Sequence, residues 1–164
     1  MLGYVYDHPE IVVPFVTNLI PDCHGRGISK AAAAIGVLDA HGRLIAGLVY
    51  HTYNPEAGVI EICGAALPGQ YWMTRETLRQ MYGYPFLQLR CQMVVNVVAA
   101  EDERQLYMMS RFGYSFSRVP RLFGRDRDAV VGTLTIEDWL TNKFNRRHLR
   151  TDPVQLSLPL EEAA

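Results

Sequence analysis

The first residue that could do chemistry is a carboxylate inside an apolar strand pattern. Glu61 stands in Val59-Ile60-Glu61-Ile62, where its side chain either faces a cleft or lies on a solvated sheet face. A carboxylate held partly away from water takes protons more readily, which suits a general base. His51 strengthens that reading. If residues 54–58 form a five-residue turn, His51 falls opposite Glu61 on one face of an antiparallel pair, and the two could relay a proton. A slip of one residue would put them on opposite faces, and a polar pair on an exposed face is the other reading. Arg118, Arg121, Arg125 and Arg127 share a short loop with Phe123. Such a loop can hold an anionic acceptor, touch nucleic-acid phosphates, or be a solvated hairpin loop. The three cysteines have no metal-type spacing, and the neighbours Cys23 and His24 do not converge on one ion. No metal is expected, Cys63 and Cys91 read as small core residues, and the compartment reads as reducing and cytoplasmic.

The elements that must position these groups follow from periodicity. Leu2 to Tyr6 is a short strand, and His8 to Leu19 has helical apolar spacing with Pro14 early enough to be tolerated. Pro21 to Ser29 is a loop. Ala33 to Tyr53 reads as a β-hairpin around Asp39-Ala40-His41-Gly42-Arg43, and a second turn leads into the strand that carries Glu61. Met73 to Tyr82 reads as a helix with Thr74 as N-cap, ended by Gly83-Tyr84-Pro85. Leu87 to Ala99 holds a β-branched run suited to a buried strand. Asp102 to Phe112 is helical, with Leu106, Met109 and Phe112 on one face and Gly113 at its end. Tyr114 to Val119 and Ala129 to Ile136 are two more strands, and Asp138 to Arg147 is a final helix. The order β-α-β-β-β-α-β-α-β-β-α predicts an α+β domain with helices on both faces of a mixed, mostly antiparallel sheet of six to seven strands.

A chain of 164 residues suits one domain, expected over residues 1–150, with an acidic tail over 151–164. Hydrophobic residues at 49% argue against a disordered chain, and no apolar run is long enough for a membrane helix. No signal peptide is visible in the first residues. The net charge of −1 divides into −4 over residues 1–103, +6 over 104–150 and −3 over the tail, so the later half suggests an anionic partner.

This order of elements resembles the GNAT superfamily of acyl-CoA-dependent N-acyltransferases over nearly all of residues 1–146. Ala100-Glu101-Asp102-Glu103-Arg104-Gln105-Leu106-Tyr107 through Phe112-Gly113-Tyr114 is similar to the family's helix that begins with Asn and ends in Gly-Phe. Asp126-Arg127-Asp128-Ala129-Val130-Val131-Gly132-Thr133-Leu134 is similar to its last strand. The resemblance implies acetyl transfer from acetyl-CoA to a primary amine by direct attack in a ternary complex, without a metal. It also implies that the fourth and fifth strands splay to admit the pantetheine arm, and that Glu61 is the base.

Residue by residue, the resemblance assigns Ile62, Cys63, Gly64, Ala65, Trp72, Thr74, Arg75 and Asp102 to the cofactor. The family's glycine-rich pyrophosphate loop is here Ala65 to Arg75, with Gly69 as its loop glycine, and the helix start near Thr74 could still bind phosphate through its free N–H groups and dipole. Arg75 either adds a charge-assisted contact or is a solvated helix residue. Asp102 stands in the family's Asn slot, and the slot of its frequent general acid, a Tyr, holds Met109. Tyr107 is two positions away and is the candidate acid, or else a packing residue.

The positive charges Lys143, Arg146, Arg147 and Arg150 complement the dipole of the last helix. Gln155-Leu156-Ser157-Leu158-Pro159-Leu160 resembles the peptide with which bacterial replication and repair proteins dock on the sliding clamp; an unstructured tail is the alternative. Two functions follow: an acetyltransferase, or a catalytically weak binding protein of the same fold, recruited to a DNA-associated complex by that tail.

Overall fold

A computed structural model describes residues 1–20, 28 and 33–145. Seven strands form one sheet: β1 (Gly3–Tyr6), β2 (Ala33–Leu38), β3 (Leu44–Asn54), β4 (Val59–Ala66), β5 (Met93–Ala99), β6 (Ser115–Val119) and β7 (Ala129–Thr135), in the spatial order β1-β2-β3-β4-β5-β7-β6. The β4–β5 pair is parallel and every other neighbouring pair is antiparallel. Parallel neighbours need a crossover, and α2 (Arg75–Gly83) lies within it. The other helices are α1 (Pro9–Leu19), α3 (Glu103–Phe112) and α4 (Ile136–Thr141).

Strand alternation sorts the apolar side chains into two layers. Leu48, Tyr50, Ile60, Ile62, Val94 and Leu134 face a core shared with Leu78 and Met81 of α2, Met109 and Phe112 of α3, and Trp139 of α4. On the opposite face Val12, Val13 and Val16 of α1 pack on Ala34, Val49 and Ala65. The expected α+β architecture, with helices on both faces of a mixed, mostly antiparallel sheet, is therefore the one observed. The buried Tyr50 hydroxyl donates to the Met81 carbonyl at 2.8 Å and ties the end of α2 to β3.

Most boundaries fall within a residue or two of their sequence signals. Thr74 caps α2, its hydroxyl accepting from the Thr77 amide at 3.1 Å. Asp102 does the same for α3, accepting from the Gln105 amide at 3.0 Å. Gly113 ends α3 in the left-handed conformation, φ 95°, where a side chain would be strained. Two expectations are corrected. Gly83-Tyr84-Pro85 does not stop the chain from winding. A π-helical turn runs over Tyr84–Gln88, with Pro85 at its start where the missing N–H costs nothing. Leu87 and Gln88 thus belong to that turn, and β5 begins only at Met93. The last helix begins earlier than expected, because Thr135 caps it by accepting from the Asp138 amide, and it ends at Thr141. The predicted loop residues Cys23 and His24, the charges Arg146, Arg147 and Arg150, and the peptide Gln155 to Leu160 lie outside the described residues.

Candidate active site

The candidate groups gather where two strands part. The ladder between β4 and β5 consists of Val59↔Met93, Ile60↔Val94 and Glu61↔Val95, and it stops there. Beyond this fork, residues 62–66 remain paired to β3 and residues 96–99 to β7. The gap between the two arms exposes strand edges to any ligand that enters. A cavity of about 140 Å³ occupies it, lined by Cys63 and Gly64 on one arm, Asn96 to Ala99 on the other, Asp102 and Gln105 of α3, Ile20 and Phe123. A smaller space of about 30 Å³ continues on the α3 face, between Gly64, Trp72, Met73, Tyr82, Asn96 and Met109 among others.

Glu61 is the last paired residue before the gap, and His51 is its direct cross-strand partner. The His51 Nε2 and Glu61 Oε2 atoms lie 3.9 Å apart, with the side chains 8% and 20% exposed, so both are largely shielded from water. On the other side of the imidazole, Nδ1 is hydrogen-bonded to Thr52 Oγ1 at 2.9 Å. Thr52 takes φ 52°, a rare conformation for a β-branched residue, at an irregularity in the β3–β4 pairing. Backbone strain of this kind is retained where the surrounding structure fixes it, often beside functional groups. The row Glu61–His51–Thr52 is therefore oriented from both ends.

The other sequence-predicted residues divide into three groups. Cys63, Gly64 and Asp102 line the main cavity and Trp72 lines the smaller one. Cys63 packs half-buried against the α1-side core, as expected, and is also a wall of the gap, because beyond the fork no β5 neighbour covers it. Cys91, by contrast, is 1% exposed in the core, where burial pushes its thiol pKa up. Thr74 and exposed Arg75 mark the N-terminal end of α2, whose first N–H groups an α-helix cannot bond to itself. Ile62 and Ala65 flank the gap through their backbone only, since their side chains are buried in the two cores.

Tyr107 is not brought to the site. It is 64% exposed on the outer side of α3, where its hydroxyl accepts from Arg111 at 3.2 Å. Its exposure does not fit the packing reading, and it lines neither of the two spaces at the fork. Met109 is 1% exposed, and its methyl group occupies the place where a Cβ on Gly132 would stand. Two phenols lie deeper. Tyr82 donates to the Tyr114 oxygen at 3.2 Å, and burial raises the pKa of both. Asn96 and Gln105 complete the walls and carry polar groups that the sequence reading passed over. The signal was present: Asn96 interrupts Val94-Val95-Asn96-Val97-Val98 as Glu61 interrupts its own strand.

Two of the four arginines of the loop are held in ion pairs. Arg118 pairs with Asp128 at 2.8 Å, and Arg127 pairs with Glu101 at 2.6 Å. The Arg121 amide, with lesser help from Arg118, holds the Asp128 carboxyl below its usual range. Phe123, beneath the Arg127 guanidinium, reaches the gap. A larger cavity, about 770 Å³, lies between β1, β2 and α2, walled by Tyr6, Tyr50, Tyr84 and Asp7. It holds no base–histidine pair and does not include the fork.

No family model matches the sequence, and no curated protein does. Solved structures match with high significance. The spermidine/spermine N-acetyltransferase SpeG of Vibrio cholerae superposes with a TM-score of 0.68 at 16% identity, covering 85% of this chain and 98% of its own. A provisionally assigned acetyltransferase of Acinetobacter baylyi ADP1 gives 0.63 at 12% identity, covering 84% and 94%. The chain has the GNAT fold. At these identities the likeness is one of backbone path alone. Among the described residues no helix is long and apolar enough to cross a membrane, and no cluster of His, Cys, Asp and Glu could hold a metal ion.

Proposed function

We propose that this protein is an N-acetyltransferase that moves an acetyl group from acetyl-CoA to a primary amine by direct attack. One observation carries the reading: the β4–β5 ladder ends at Glu61, so the only carboxylate of that strand stands at the apex of an open gap. Direct transfer needs the amine deprotonated as it attacks, the thioester held still, and a path for the departing sulfur. Glu61 is the base, taking the amine proton on the α1 face of the sheet, and His51 stabilises or relays that charge from 3.9 Å. The strand edges of residues 62–66 and 96–99 offer unpaired N–H and C=O groups to the amides of a pantetheine arm. The start of α2, with Arg75, suits an anionic group through its dipole and free N–H groups.

The polyamine specificity of SpeG is that protein's property and is not carried over. The acceptor approaches past Phe123 and the arginine loop. Calorimetric titration with acetyl-CoA, followed by thiol-release assays against a panel of amines, tests the reading. Saturable binding with amine-dependent release of free thiol supports it. Absence of binding refutes it.

A further inference from the structure

Asn96 is 5% exposed, and its side-chain amide has no hydrogen-bond partner among the described residues. No fully buried side-chain nitrogen or oxygen among the described residues lacks a partner, so the Asn96 amide atoms are reached from the gap, where an incoming group can bond them. Asn96 lines both the main cavity and the smaller space behind it, so its polar atoms face the gap. Its place in the sheet is specific. Val95 is the last residue of β5 paired to β4, and Asn96 is the first beyond the fork. Alternation puts its side chain with Val94 on the α3 face, whereas Glu61 and His51 lie on the α1 face with Val49 and Cys63.

The two faces have different tasks under the proposed reaction, on which this inference rests. The amine gives up its proton to Glu61 on one face, so the bond to sulfur breaks towards the other. Met109 there has no proton to give. The donors lining that space are Trp72, Gln105, Tyr82, whose hydroxyl is given to Tyr114, and Asn96. Asn96 alone of them stands on β5, at the first position beyond the fork, and it has two N–H groups. We propose that the Asn96 side chain donates a hydrogen bond to the sulfur of the acyl thioester and to the thiolate that leaves. In that step the nitrogen–carbon bond forms, the carbon–sulfur bond breaks with its electron pair on sulfur, and Glu61 holds the amine proton. Asn96 transfers no proton. It lowers the energy of the anion, which takes a proton from water after release. A donor placed where charge develops acts most strongly in such a water-poor gap.

The test compares binding of CoA with binding of desulfo-CoA, which lacks only the thiol, from about pH 6.5 to about 9.5, across a thiol pKa of about 8.5. The other titratable groups around the site are Cys63 on β4, Asp102 on α3, Tyr82 on α2, Tyr114 beside β6 and the Glu61–His51 pair. The ratio isolates the sulfur, and because these groups stay in place in the Asn96 variants, a change in the ratio on substitution reports Asn96 itself. For the unaltered chain the ratio rises about ten- to a hundredfold in favour of CoA as its thiol ionises, as expected for a hydrogen bond to an anion. Asn96→Leu and Asn96→Asp bind desulfo-CoA as before, which shows they are folded, but lose that rise. In acetyl transfer both lower kcat about a hundredfold with KM nearly unchanged. Tyr82→Phe keeps the rise. A rise that survives both Asn96 substitutions, or disappears in Tyr82→Phe, overturns the assignment. If neither ligand binds the unaltered chain, the acetyltransferase reading fails and the role of Asn96 falls with it.

Discussion

Replacing Glu61 by Gln keeps the shape of the side chain and removes the proton acceptor. The substitution should be structurally mild, because the Glu61 side chain retains 20% of its exposure and no apolar packing depends on its charge. Its effect should appear in the chemical step. A positioned general base contributes about 10²- to 10⁴-fold to such reactions, so kcat/KM for acetyl transfer should fall by at least about a hundredfold at neutral pH. Acetyl-CoA affinity should change by less than about threefold, since the base faces the amine and not the cofactor. His51→Gln should cost less, about tenfold. At 3.9 Å the imidazole lies past direct hydrogen-bond reach of the carboxylate, so it supports the base rather than being the first acceptor of the proton. Raising the pH supplies deprotonated amine without help, so the deficit of Glu61→Gln should shrink as the amine's own pKa is approached. Initial rates of thiol release at several pH values, with acetyl-CoA affinity measured separately, give these quantities. An unchanged kcat/KM, or a loss confined to cofactor binding, would refute the base assignment.

Other perturbations probe the frame around the gap. Gly132→Ala places a methyl group on the Met109 side chain, an overpacking that should cost about 1–3 kcal/mol and lower Tm by several degrees in thermal denaturation. Adding Met109→Ala should give a double variant less destabilised than the two single effects together, measured as a double-mutant cycle. Thr74→Ala removes the cap of α2 and should cost about 1 kcal/mol in urea unfolding, with little change in m. Asp128, its carboxyl held low first by the Arg121 amide and then by Arg118, stabilises its loop above the ordinary carboxylate range near about pH 3.9. That contribution should be lost as pH falls through the depressed pKa below it. Asp128→Asn should therefore speed hydrogen exchange in residues 118–128 at neutral pH and make little difference in strong acid.

Much of the fold was legible because it rests on local signals. The hairpin turn at residues 39–43, the caps at Thr74 and Asp102, and the left-handed Gly113 each announce a boundary in one or two residues. His51 does pair with Glu61, but not through the expected five-residue turn: Asn54 pairs with Val59, so the turn is residues 55–58, and the irregularity between His51 and Asn54 restores the register. The π-helical turn after α2 was not legible, because proline and glycine read as a stop when packing by Phe86 in fact carries the winding onward. Nor was the location of Tyr107, which depends on how α3 is rotated against the sheet; its exposure follows from Met109 and Phe112 claiming the buried face. Asn96 and Cys63 show a different limit. In a strand buried on both faces they would be a defect and a core residue, and only the termination of the β4–β5 ladder turns them into walls of a site.

The central claim is that the forked sheet receives acetyl-CoA between β4 and β5. Hydrogen exchange with and without acetyl-CoA tests it most directly, because the unpaired strand edges are amides that a bound arm would cover. The account predicts slowed exchange confined to residues 62–66 and 96–99 and to the first turn of α2. No protection at all, or protection gathered instead around Tyr6, Tyr50 and Tyr84 in the larger cavity, would contradict it.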